Sequence, residues 1–478
     1  MAYCDLSGRR RHAIVIGGGL AGLLAARVVA DHFDKVTLVE RDGVATQPRP
    51  RKGVPQGQHV HGLLAKGKEI LAQLFPGLIE ALLAGGAVSG DMGRDFRWHH
   101  YGVWKASFDS GIGCMLFTRP YLESQIAERV SRLSNVQIVQ GAVDGLTVAS
   151  EHHLITGVRM RTHAGESSVL TADLIVDASG RGSRTPLWLS SLGCGTPSVS
   201  TVMVDVAYAS RFYRPGPAMR DLKALLVSPR APDKKTAAIF AVEGNRWLVT
   251  LGGLHGVHPP SHEEGYLEFA RRLAVPDVYQ AIADAEPLTS ITTHHFHTNT
   301  RRHYDRLRPF PEGLLVMGDA FCSFNPIYGQ GMTVSAREAL ALDEALRERT
   351  DLCHLPARFH RKIASIVDSA WGPTTGEDFR YEETEGERPA GMALIHWYTG
   401  RIHERCAHDT GLALAFYRVM HMIDPPTALF RPSVVARALR KSESPGNIVT
   451  THQTIPLVHN RPNSARIPSL GRVRSSNP

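Results

Sequence analysis

The stretch "HAIVIGGGLAG", residues 12–22, limits the possible folds of this chain more than any other. A short apolar run ends in Gly17-x-Gly19-x-x-Gly22, and "LAGLLAARVVADHF" continues with helical apolar spacing. "KVTLVE" then reads as a second buried strand that ends in Glu40. Strand, glycine turn, helix, strand and acid in that order form a dinucleotide-binding pattern. Gly17 permits the tight turn, Gly19 lets a pyrophosphate approach the backbone, and Gly22 lets helix and strand pack closely. Leu20 and Ala21 open the helix, whose free N–H groups face the phosphates. Glu40, followed by Arg41, is placed to accept hydrogen bonds from ribose hydroxyls. An acid there disfavours a 2'-phosphate, so FAD or NAD fits this site better than NADP. A glycine-rich packing turn alone does not account for Glu40.

Two more strands end the same way. "LIVDASGRGSR" (174–184) carries Asp177 and Gly180, and "GLLVMGDAFCSFNPIYGQGM" (313–332) carries Asp319, Pro326, Gly329, Gly331 and Met332. Open α/β sheets place ligands just outside the carboxyl ends of their strands. NAD needs only the first motif, whereas a longer cofactor with a ribityl chain and a large ring uses all three.

Together, Gly-x-Gly-x-x-Gly, Asp-x-x-Gly and Gly-Asp…Pro-x-x-Gly-x-Gly resemble the flavin monooxygenases of the aromatic-hydroxylase superfamily. "RKGVPQGQHVHGLLAKG", "RRHYDRL" and "FNPIYGQGM" further resemble the polyene epoxidases of polyether pathways, relatives of squalene epoxidase. The likeness spans roughly residues 12–345. It implies an α/β fold: a Rossmann-like FAD-binding domain of the glutathione-reductase type, an inserted mixed-sheet substrate domain and a C-terminal helical region. It also implies that Asp319 binds the ribityl chain and that Pro326, Gly329, Gly331 and Met332 line the isoalloxazine. Arg51, with Lys52 beside it, would reach the pyrophosphate region, Arg119 would open a second FAD-contacting helix, and Val143 would touch the adenine. Departures from the aromatic hydroxylases are Cys322 where His is common and Thr333 where Asn is usual. The Trp-x-Trp-x-Ile-Pro segment of flavin halogenases is absent from the sequence.

The expected division is 1–95, 116–195 and 299–351 for three segments of the FAD-binding domain. Residues 96–115 give strands to a substrate domain formed mainly by 196–298. Residues 352–440 read as helical throughout, and 441–478 as a basic, loosely ordered tail. That tail bears on partners. The formal net charge is +8, but eight Lys/Arg face one acid, Glu443, from Arg431 onward, so the body is near neutral. A solvated tail is therefore expected rather than a nucleic-acid partner. No stretch is apolar over the roughly 18 residues of a membrane span, and no signal core precedes the first strand. A cytoplasmic protein is the expectation, with six scattered, reduced cysteines.

The function expected is insertion of one oxygen atom from O2, through a C4a-hydroperoxyflavin, into a hydrophobic secondary metabolite by epoxidation or hydroxylation. The flavin does this chemistry, so no catalytic side chain is nominated. Substrate-pocket candidates are Trp104, Phe108, Phe240, Trp247 and Phe324. The chain has no second dinucleotide fingerprint, so NAD(P)H docks transiently or a separate flavin reductase supplies electrons. The alternative is a flavin dehydrogenase or reductase of a prenyl-type substrate, without oxygen incorporation. His59-x-His61 and "HHFH" at 294–297 lack a nearby Cys or acid in sequence, so no metal is expected.

Overall fold

The computed structural model describes residues 10–440 except 52, 150–153, 163, 217–218 and 349–350. Lys52 and the basic tail therefore lie outside the described residues.

The apolar runs form a five-stranded parallel sheet in the order Leu314–Val316, Leu174–Asp177, His12–Ile16, Lys35–Glu40, Val136–Gln140. Such strands are covered on both faces, and the sequence meets that demand with near-continuous Val, Ile and Leu. The helix Leu20–Ala30 buries Leu20, Leu23, Leu24, Val28 and Val29 in the core beside this sheet. Each such side chain contributes about 1.5–3 kcal/mol on burial. The helix Gly331–Arg347 packs against it and against the 24-residue helix Leu355–Asp378.

A second, nine-stranded mixed sheet is built on Val199–Tyr213, which pairs antiparallel with Arg246–Leu254 on one side and Thr292–Arg302 on the other. Phe96–His100 joins its far side parallel to Ala224–Val227, and Val103–Trp104 forms the edge. Gly113–Leu116 instead belongs to a small separate sheet with Gly62–Leu63 and Val88–Asp91. Two helices, Glu263–Arg271 and Asp277–Ile282, cover the large sheet, the second starting after Pro276.

Residues 379–391 correct the expectation of continuous helix after 352. Glu385–Gly386 forms a two-residue strand on Val199–Tyr213 before the helices Met392–Arg405 and Thr410–Met420 begin. Gly386 has φ +149, a conformation that few side-chain-bearing residues adopt. Cys353 is disulfide-bonded, against the expectation of thiols throughout. No described helix is long and apolar enough to cross a membrane.

Candidate functional site

Parallel register brings the three sequence motifs to one edge. Ile16 stands opposite both Val39 and Asp177, and Asp177 opposite Val316. Gly17, Glu40, the 178–182 turn and Gly318-Asp319 therefore leave the sheet side by side. Gly17 has φ +99, and a Cβ there would lie 2.6 Å from the Ala178 carbonyl oxygen. A Cβ on Gly22 would lie 1.7 Å from the Gly17 carbonyl oxygen, so Gly22 is the packing glycine. Gly19 differs: nothing lies within 4 Å of its Cβ position. Open space faces the helix N-terminus, where a pyrophosphate would approach backbone N–H groups.

A cavity of about 1110 Å³ begins at this edge. Gly17, Gly19, Leu20, Ala21, Glu40, Arg41, Arg51, Arg119, Val143, Gly180, Asp319, Pro326, Gly329, Gly331 and Met332 all line it. Glu40 accepts from Gly18 N at 2.5 Å and from Asp42 N at 3.0 Å, which fixes its carboxylate at the rim.

Two guanidiniums share one acid nearby. Arg51 Nη2 lies 2.6 Å from Glu123 Oε2, and Arg119 Nε lies 2.9 Å from Glu123 Oε1. Burial opposes ionisation of Glu123, but Arg119 and Arg51 outweigh it and hold the carboxyl below the ordinary range. Sequence reasoning missed Glu123, although its spacing four residues after Arg119 in a helix was a usable signal.

Asp319 faces the same cavity. Burial pushes its carboxyl above the ordinary range, against the pull of Arg119, Arg181 and Arg302. Among the described residues no hydrogen bond reaches that carboxylate. A chain of hydroxyls laid along the wall would satisfy it, which is the chemistry a ribityl group offers. Behind it, the buried Glu338 accepts from Gly318 N at 2.6 Å, while its other oxygen has no partner among the described residues. Burial raises Glu338 to about 8, so it is a neutral acid backing the Gly318-Asp319 turn.

The Pro326–Gly331 loop is held from two sides. Asn325 caps its short 3-10 turn by accepting from Ile327 N at 3.2 Å, and Gly329 closes the turn at φ +65. Asn325 N donates to Asn299 Oδ1 at 2.5 Å, and Asn325 Nδ2 donates to Asp378 Oδ1 at 2.9 Å. Asp378 also accepts from Asn299 Nδ2 at 2.8 Å and from Tyr328 Oη at 2.9 Å. Burial raises Asp378 to about 6, while those donors favour the charged form. The loop is thus fixed to a strand of the large sheet and to the long helix, residues far apart in sequence.

Several expected site residues sit elsewhere. Asp177 is fully buried and does not line the cavity. Its carboxylate accepts from Ser179 N, Ser179 Oγ, Ser183 Oγ and Thr185 Oγ1, so it organises the turn that carries Gly180 and Arg181 to the cavity. Phe240 and Phe324 line the cavity, but Trp104, Phe108 and Trp247 do not. Trp247 is fully buried on the opposite side of the sheet core and donates to the Leu222 carbonyl. Phe108 stacks on Tyr417, and Trp104 lies under Arg97 at the sheet edge. Aromatic identity marks burial here without telling which face is buried.

Beyond the loop the cavity widens among Met92, Phe96, Trp98, Leu226, Ile402 and Phe416. His59 and His294 line the passage, their rings 5.7 Å apart. Burial lowers His59 to about 3 and His294 to about 4, so both are uncharged at neutral pH. His59 Nδ1 lies 2.7 Å from Ser210 Oγ, while the Nε2 atoms of both rings lack partners among the described residues.

Comparison with known proteins agrees with this geometry. The FAD binding domain family matches residues 10–350. Protein Rv3254 of Mycobacterium tuberculosis is 31% identical over 90% of this chain and 93% of its own. Kynurenine 3-monooxygenase of Salinispora tropica is 26% identical, covering 72% of this chain and 74% of its own. Squalene epoxidase 2 of Arabidopsis thaliana is 25% identical, covering 70% of this chain and 53% of its own. Among solved structures, p-nitrophenol 4-monooxygenase PnpA of Pseudomonas putida superposes with a TM-score of 0.61 at 17% identity, covering 86% and 98% of the two chains. The chain belongs to the FAD binding domain family.

Proposed function

We propose that this member of the FAD binding domain family inserts one oxygen atom of O2 into a hydrophobic small molecule, by alkene epoxidation or by hydroxylation. The observation that carries the reading is a cavity that runs from the glycine cradle, past the Pro326–Gly331 loop, into an apolar aromatic chamber. Bound FAD would supply the activation of O2 and the oxygen transfer. Gly17 and Gly19 would admit its pyrophosphate, Arg51 and Arg119 would balance the phosphate charge, Glu40 would hold the ribose and Asp319 the ribityl hydroxyls. The Asn325-anchored loop would keep the ring wall in place.

The chamber's work is to bind the substrate beside that wall and to exclude water. Phe240, Phe324, Phe96 and Phe416 offer apolar area, and neutral His59 and His294 add no charge that would draw water in. Each imidazole can still donate or accept one hydrogen bond to a polar substrate atom. NAD(P)H is the proposed electron source, docking transiently or acting through a separate flavin reductase, and the cytoplasm is the proposed location. The epoxidation arm draws support from the likeness to a squalene epoxidase, and the hydroxylation arm from the likeness to kynurenine 3-monooxygenase.

The test is to purify the protein, record its visible spectrum, and turn it over under 18O2 with NAD(P)H and panels of polyenes and phenols. Flavin bands with one labelled oxygen in the product support the reading. Flavin bands with substrate oxidised or reduced but unlabelled would favour a dehydrogenase or reductase acting on a prenyl-type substrate. A protein that refuses FAD would remove the basis of both.

A further inference from the structure

We infer that the outer face of the large sheet carries a metal site formed by Asp205, His258 and His295, with His297 beside it, suited to a borderline divalent cation of the zinc class. One ligand atom from each of Asp205, His258 and His295 lies within 4.8 Å of the others. His258 Nε2 is 2.8 Å from Asp205 Oδ2, and His297 Nδ1 is 3.8 Å from Asp205 Oδ1.

These residues come from three separate segments, and local backbone features bring them together. Alternation along Thr292–Arg302 buries Phe296 and turns His295 and His297 to the outer face. On the partner strand the register shifts between Met203 and Val206, so Val204 and Asp205 together face His297. Such a bulge re-aims a side chain, here the Asp205 carboxylate. Past the end of Arg246–Leu254, His255 takes φ +48, its N–H donates to the Asp205 carbonyl, and Gly256 N donates to Asp205 Oδ2 at 2.9 Å. That turn delivers His258 to the carboxylate. Donors held by one ion at about 2.0–2.2 Å stand roughly 3–3.5 Å from each other, so the cluster closes on a cation with small side-chain movements. Imidazole and carboxylate together suit Zn²⁺ and its neighbours better than the hard cations Ca²⁺ and Mg²⁺. The sequence offered no acid near the "HHFH" run; the fold supplies one from 90 residues away.

Such an ion would cross-link two strands of the large sheet and the loop after a third. The inner face of the same strand presents His294 and Phe296 to the cavity, so the ion would stiffen the chamber wall. The site does not depend on the proposed activity. The experiment is to strip the untagged full chain with chelator, desalt it, and titrate it with Zn²⁺ by calorimetry and with Co²⁺ by visible absorption. One equivalent bound below about 10 µM, weakened at least tenfold in His258→Ala and in the exposed-face pair His295→Ala/His297→Ala, is the expected result. His262→Ala, on a nearby exposed histidine outside the set, should bind as the parent does. Flavin content and circular dichroism verify that each variant is folded. Absence of binding below about 100 µM, or equal binding in the parent and the site variants, overturns the inference.

Discussion

Asn325 Nδ2 donates to Asp378 Oδ1 at 2.9 Å, which joins the loop proposed to wall the flavin to the C-terminal end of the long helix. Among the described residues the Asp378 carboxylate collects three donors. An amide in its place presents one acceptor and turns N–H groups toward other N–H groups. Asp378→Asn should therefore cost about 1–3 kcal/mol for each donor left unpaired. The expected outcome is a lowered denaturation midpoint and FAD affinity reduced at least tenfold, read by fluorescence titration. Unchanged FAD affinity would separate this network from the cofactor wall.

Gly22 and Gly19 should respond in opposite ways to alanine. The Gly22 Cβ would overlap the Gly17 carbonyl, so Gly22→Ala must displace the turn and is expected to cost about 3 kcal/mol or more. Gly19→Ala meets open space at φ −75, so the apo protein should keep its melting temperature while FAD affinity falls at least tenfold. Thermal melts with and without FAD distinguish the two.

Glu123→Gln removes the charge shared by Arg51 and Arg119. Leaving buried guanidiniums without their acid costs roughly 3–5 kcal/mol. An anionic pyrophosphate would replace part of that charge. The variant's melting temperature should then rise more on addition of FAD than the parent's does. An equal rise in both would place the phosphates elsewhere.

Stability should carry the signature of Glu338. Its folded-state value is raised to about 8, above that of an unfolded glutamate. Below the unfolded value both states are protonated and the contribution is fully present. From there up to about pH 8 only the unfolded state releases the proton, so stability falls as pH rises, with a slope of up to ~1.4 kcal/mol per pH unit. Asp378, raised to about 6, adds the same sign over a narrower window that ends near pH 6. Glu338→Gln should flatten the fall between pH 6 and 8 in urea denaturation series. A parent curve already flat there would rule out the buried neutral acid.

The nucleotide-binding half was legible because its evidence is local. A glycine's φ, a helix start and an acid at a strand end are all dictated by a few consecutive residues, and the 12–40 pattern contains them in order. The tight turn at Gly17, the close packing at Gly22 and the placing of Glu40 and Asp319 at strand ends facing the cavity were readable for that reason. Asp177 was misplaced because a carboxylate past a strand end can face a ligand or its own turn. Only the positions of Ser179, Ser183 and Thr185 decide which.

What the sequence by itself determined is therefore the class: an FAD-type α/β sheet whose three strand ends carry glycine and acid motifs, joined to a long mixed sheet. What the tertiary structure alone decided is which side chains meet. Parallel register aligned Ile16, Val39, Asp177 and Val316, and so placed three distant motifs on one edge. Helix and strand packing brought Glu123 between two arginines and Asp378 to Asn325, and a strand bulge brought Asp205 to His258. Period and propensity act over a few residues, whereas these contacts depend on sheet order and on which face each strand turns inward, quantities that no local pattern encodes.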